Sequence, residues 1–139
     1  DKNVKVTVDL KATYKTIESK PDLVIVIGGD GAILATSHRL QRRRVPVLGV
    51  NVGRVGFLSA VSPSRLEEVL NDLFDDKYRV EHRALMSFSV KRKGEIVLDS
   101  HVLNEIVVTR LPAESMMSIE LVDERRPVCS YFGDGLIVS

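Results

Sequence analysis

Leu23-Val24-Ile25-Val26-Ile27-Gly28-Gly29-Asp30-Gly31-Ala32-Ile33-Leu34 decides how this chain is read. Pro21 and Asp22 introduce an unbroken, β-branched apolar run from Leu23 to Ile27. Such a run suits a strand of a parallel sheet buried on both faces. The glycines interrupt it, and Ala32 to Arg43 then sets Ile33, Leu34 and Leu40 among alanine and arginine, as in a helix starting directly after the loop. Strand, glycine loop and helix in that order open an α/β fold.

Working outward, Val4 to Leu10 alternates Val4, Val6 and Val8 with Lys5, Thr7 and Asp9, which predicts an exposed or edge strand. Downstream, Pro46 to Asn51 reads as the next strand, and the glycine-punctuated loop Val52 to Gly56 leads into Phe57 and Leu58. Leu66, Val69, Leu70, Leu73 and Phe74 recur at helical spacing. The start of that helix is signalled by Ser62 with Pro63 and by a capping box of Ser64 with Glu67. The period changes near Tyr78. Short strands are expected near Leu85 to Arg92, Ile96 to Asp99, Val102 to Thr109, Met117 to Val122 and Val128 to Ser130, with turns at Lys93-Gly94 and around Asp123 to Arg126. The expected organisation is therefore an α/β N-terminal domain with a parallel sheet over 1–79, followed by an antiparallel β domain, of which 80–139 holds the first strands. An end directly after the apolar run Leu136 to Val138 suits a piece of a longer protein.

Composition narrows the function. With 139 residues, 44% hydrophobic and 28% charged, the chain is ordinary globular material. Its longest apolar runs fall well short of the roughly 18 residues of a membrane span, and no signal-peptide pattern opens it. A single cysteine, Cys129, excludes an internal disulfide framework and reads as a small buried hydrophobe in a reducing, cytoplasmic setting. No Cys/His cluster has metal-ligand spacing. A net charge of +1 lacks the footprint of a nucleic-acid binder, and Arg42-Arg43-Arg44 reads as the solvated last turn of a helix. Neither nucleic acid nor membrane is expected as a partner.

Gly28-Gly29-Asp30-Gly31 lies where α/β proteins hold phosphate, because glycines let backbone N–H groups approach and a helix N-terminus favours negative charge. The same spacing fits a plain turn whose glycines take positive φ and whose Asp30 caps the helix. Asp30 is the one acid of this loop and could accept the proton of an attacking hydroxyl, ionised but weakly basic because of the helix N-terminus. Asn104-Glu105 interrupts an apolar strand pattern. The pair could grip the vicinal hydroxyls of a ribose, or could reflect strand alternation with Glu105 outward.

Taken together and in this order, Gly28 to Gly31, Gly49-Val50-Asn51-Val52-Gly53-Arg54-Val55-Gly56-Phe57-Leu58, Leu103-Asn104-Glu105 and Gly133-Asp134-Gly135-Leu136-Ile137-Val138-Ser139 resemble the NAD kinase family. The chain departs from that family's pattern at Ala32, where threonine is usual, and at Phe132, where many members are basic or polar. The resemblance implies a two-domain kinase that moves the γ-phosphoryl group of ATP, or a phosphoryl group of polyphosphate, with Mg²⁺, onto the 2′-hydroxyl of the adenosine ribose of NAD. It implies Asp30 as general base, Gly29, Asp30 and Gly31 about phosphate, and Phe57 lining the pocket. Asn104 and Glu105 would hold NAD, with Asp134 near its nicotinamide end. A homodimer or homotetramer is implied as well. Two other readings share some of these features. A lipid kinase of the diacylglycerol or sphingosine type also carries the Gly-Gly-Asp-Gly loop but not the pattern at Gly49 to Leu58 and Asn104-Glu105. A non-catalytic nucleotide-binding module would use Asp30 only as a cap.

Overall fold

The computed structural model describes residues 4–9, 17–53 and 56–139. It divides into two compact units, Asp1–Ala84 and Leu85–Ser139.

The first unit is built on a strand–helix–strand crossover. Strand β1 (Val24–Ile27) leads through Gly28-Gly29 into helix α1 (Asp30–Leu40), and β2 (Val47–Val50) returns parallel to β1 with Val24 opposite Val47 and Ile27 opposite Val50. A parallel pair requires such a crossover. The helix packs on the Val26 side, where Ile33 meets Gly49: a Cβ at Gly49 would lie 2.5 Å from Ile33 Cδ1. Val26, Ile33, Thr36 and Leu40 are buried there, and Val50 is 1% exposed. Burial of β1 on both faces is not observed, since Ile25 and Ile27 are 41% and 65% exposed. Among the described residues one helix covers one face, so the apolar run is only half used.

Val4 to Asp9 takes no regular structure, and Leu10 lies outside the described residues. The expected edge strand is thus not formed, because alternation makes a strand only where a sheet edge offers hydrogen bonds. Nor is the arginine run the last turn of α1. The helix ends at Leu40, Gln41 takes φ 57°, and Arg43 donates from its guanidinium to the carbonyls of Ile17, Ser19 and Leu40. Only Arg42 and Arg44 stay exposed.

After β2 the chain loops back, and Val61 forms a parallel bridge with Val50. A 3-10 turn (Pro63–Arg65) with Ser62 before its proline then runs into α2 (Leu66–Phe74). The Ser62-Pro63 start is realised in position. The Ser64/Glu67 capping box is not, because the Ser64 hydroxyl pairs with that of Ser62 at 3.0 Å.

The second unit is antiparallel throughout. Strands β3 (Met86–Arg92) and β4 (Glu95–Val102) form one hairpin, β6 (Met117–Asp123) and β7 (Arg126–Gly133) another, and β5 (Ile106–Thr109) pairs with β8 (Gly135–Val138). Both hairpins turn on two residues of positive φ, Lys93-Gly94 and Glu124-Arg125. That geometry matches the twist of the flanking strands. Each ribbon has two strands, and among the described residues of this unit only His101 is buried. Cys129 is accordingly exposed rather than buried. No helix among the described residues is long and apolar enough to cross a membrane.

Candidate functional site

Asp30 is the first residue of α1 and follows a glycine in extended conformation, φ −89° and ψ −170°. Its side chain does not cap its own helix. It reaches instead to the second glycine-rich segment. The amide of Phe57 donates to Oδ2 at 2.7 Å, and the amides of Leu58 and Ser59 donate to Oδ1 at 2.9 and 3.1 Å. The Ser59 hydroxyl adds a fourth contact to Oδ1 at 3.3 Å. Three successive amides thus form a concave anion-binding surface around the carboxylate. Donation by Leu58 first, and then by Phe57 and Ser59, holds the Asp30 carboxyl below the usual aspartate value. The depression expected from the helix N-terminus therefore has a nearer cause.

Close approach explains the glycines here. A Cβ at Gly56 would stand 2.2 Å from Asp30 Oδ1, and one at Gly28 would stand 2.7 Å from Ala32 Cβ. Glycine conformational freedom is not the reason, since the one described glycine with positive φ is Gly94. Beside Gly29 and Gly31 a Cβ would meet nothing within 4 Å, so the backbone at the start of α1 lies open. The Phe57 ring is 98% exposed, although its amide is held by Asp30. Gly29, Asp30, Gly31 and Phe57 are therefore together on the first unit.

The other candidate residues lie on the second unit. Asn104 and Glu105 are not within a strand. They occupy the exposed connection between β4 and β5, which must bend because β4 pairs with β3 whereas β5 pairs with β8. Glu105 turned outward from a regular strand is likewise not observed. Asp134 joins β7 to β8. There Arg110 donates from Nε to Asp134 Oδ1 at 2.5 Å, and its amide donates to the Asp134 carbonyl at 3.0 Å. Arg110 also donates to the carbonyl of Glu114 at 2.9 Å. Because Ile106 opposes Val138 and Thr109 opposes Gly135, Asn104-Glu105 and Asp134 flank opposite ends of the β5–β8 ribbon. At the rise of a β-strand these ends are roughly 10–15 Å apart. Among the described residues no three His, Cys, Asp or Glu side chains gather to hold a metal.

Two residues of this geometry escaped the sequence reading. Ser59 carries no motif, and only its place directly after Gly56-Phe57-Leu58 could have pointed to it. Arg110 carries no motif either, and nothing in the sequence pairs it with Asp134, 24 positions away.

Residues 2–78 match the family model described as the ATP-NAD kinase N-terminal domain. The chain is 38% identical over 128 residues to the NAD kinase of Pseudomonas entomophila, covering 92% of this chain and 43% of that protein. It is 41% identical over 118 residues to the NAD kinase of Pseudomonas fluorescens, covering 85% and 40%. It therefore spans about two fifths of the length of these curated relatives. Among solved structures, an NAD kinase from Archaeoglobus fulgidus in complex with ATP is similar with a TM-score of 0.61 at 30% identity, covering 84% of this chain and 43% of that one. Yeast NADH kinase complexed with NADH shares the fold with a TM-score of 0.75 at 23% identity, covering 85% and 35%.

Proposed function

Because the chain belongs to the NAD kinase family, we propose that its full-length protein transfers the γ-phosphoryl group of ATP, or a phosphoryl group of polyphosphate, to the 2′-hydroxyl of the adenosine ribose of NAD, forming NADP. The observation that carries this reading is the Asp30 carboxylate, ionised and fixed at the open start of α1 between two glycine-rich segments. A base held this firmly is weak in proton affinity, so orientation of the hydroxyl supplies most of its effect. Gly29 and Gly31, with open space beside them, are assigned to phosphate. The exposed Phe57 ring is assigned to the pocket wall.

Residues 80–139 are assigned to the beginning of an NAD-binding β domain. Asn104 and Glu105 hold hydroxyls of NAD, and Asp134, oriented by Arg110, meets the nicotinamide end. Their separation along the β5–β8 ribbon supports an extended dinucleotide rather than a compact ligand. Mg²⁺ belongs to the reading as part of the nucleotide substrate, where it neutralises phosphate charge; the described side chains do not cluster to fit a resident ion. A cytoplasmic homodimer or homotetramer completes the proposal, supported by the family alone.

NADP formation from NAD and Mg-ATP by the full-length protein, compared with its Asp30→Asn variant, tests the reading. Turnover should fall by at least about 100-fold in the variant with NAD binding retained. Undiminished turnover would remove Asp30 as the base, and binding of NAD without turnover by the unaltered protein would favour a non-catalytic nucleotide module.

A further inference from the structure

We propose that Ser59 is a positioning residue whose hydroxyl, with the amides of Leu58 and Ser59, locks Oδ1 of Asp30 and leaves Oδ2 as the atom that meets the acceptor hydroxyl. The inference rests on the kinase reading and deepens it by naming the reacting oxygen. Oδ1 accepts the amides of Leu58 and Ser59 and the Ser59 hydroxyl, whereas among the described residues Oδ2 accepts only the Phe57 amide. A carboxylate oxygen has about two lone-pair sites. Oδ1 is therefore saturated, and Oδ2 keeps one site for a substrate.

Ser59 is held in place by its packing. It is 3% exposed, and its Cα lies so close to β2 that a Cβ at Gly49 would stand 3.0 Å from it. Its hydroxyl thus comes from a buried backbone rather than a mobile loop tip. The described groups that act on the carboxylate are these backbone amides and this hydroxyl, with no charged side chain among them. In the reaction the ribose O–H bond breaks and its proton passes to Oδ2. The freed electron pair forms the new O–P bond. The bond from that phosphorus to its leaving oxygen breaks, its electrons departing with ADP or the shortened polyphosphate.

The test uses the full-length protein as the unaltered form, Ser59→Ala and Ser59→Thr. Two quantities are measured: the carboxyl ¹³C titration of Asp30 and the pH dependence of NADP formation. Loss of a donor to the ionised form destabilises it, so in the alanine variant the titration midpoint and the acid limb of kcat should both move to higher pH. There kcat should fall about fivefold with KM for NAD within about twofold, and threonine should restore both. An unmoved midpoint in a folded alanine variant, or a kcat loss equal at every pH, would overturn the role of Ser59. Absence of NADP formation by the unaltered protein with any donor would overturn the kinase reading and with it the role of Oδ2, even if the titration shifts as described.

Discussion

At the scale of single residues, Gly56 and Asp30 form one device written in two places. The carboxylate occupies the space that a side chain at position 56 would need, with a Cβ there 2.2 Å from Oδ1. Gly56→Ala must therefore expel Asp30 from its amides or push the loop away. Turnover should fall by about 100-fold or more, while the thermal midpoint drops by only a few degrees because the buried core of Val26, Ile33, Leu40 and Val50 is elsewhere. Parallel kinetics and thermal unfolding check this, and full activity in the alanine variant would show the loop free to yield. Asp30 is conspicuous in the sequence by its isolation among glycines. Its partners are not, since backbone amides carry no residue signature and stand 27 to 29 positions away.

At the scale of elements, local chemistry was readable where local chemistry decides the outcome. Lys93-Gly94 turns between β3 and β4 with φ values of 51° and 89°, as a glycine at the second turn position foretells. The β6–β7 hairpin takes the same turn with Glu124 and Arg125 at φ 44° and 71°, neither of them glycine. The left-handed conformation costs such residues roughly 1–2 kcal/mol. Arg125→Gly should relieve this strain and stabilise the protein by about 0.5–1 kcal/mol after the entropy cost of glycine, as measured by denaturant unfolding. A loss of stability would mean that the Arg125 side chain contributes more than its backbone costs. The failures among elements are as informative. Val4 to Asp9 has strand alternation without a strand, and Val102 to Thr109 is one apolar pattern divided between two ribbons. Both depend on which edge is offered for pairing, and alternation within one segment does not contain that information.

At the scale of the whole molecule, Asp30 belongs to the first unit and Asn104, Glu105 and Asp134 to the second, and the roles proposed for them are tested separately. If Asn104 holds a hydroxyl of NAD, Asn104→Ala in the full-length protein should raise KM for NAD about tenfold with kcat within about threefold. Steady-state kinetics decide it, and an unchanged KM would remove Asn104 from the site. By itself the sequence determined the α/β crossover followed by antiparallel ribbons, the glycine loop at the start of α1 and the family. Each of these rests on residue type at short spacing: β-branched runs, glycine interruptions and turn dipeptides. Only the tertiary structure decided that Asp30 grips the amides after Gly56 rather than its own helix, that Asn104-Glu105 lies in a bend, and that Arg110 holds Asp134. Those contacts join positions some 20 to 30 residues apart through backbone groups and paired strand edges, which no local pattern encodes.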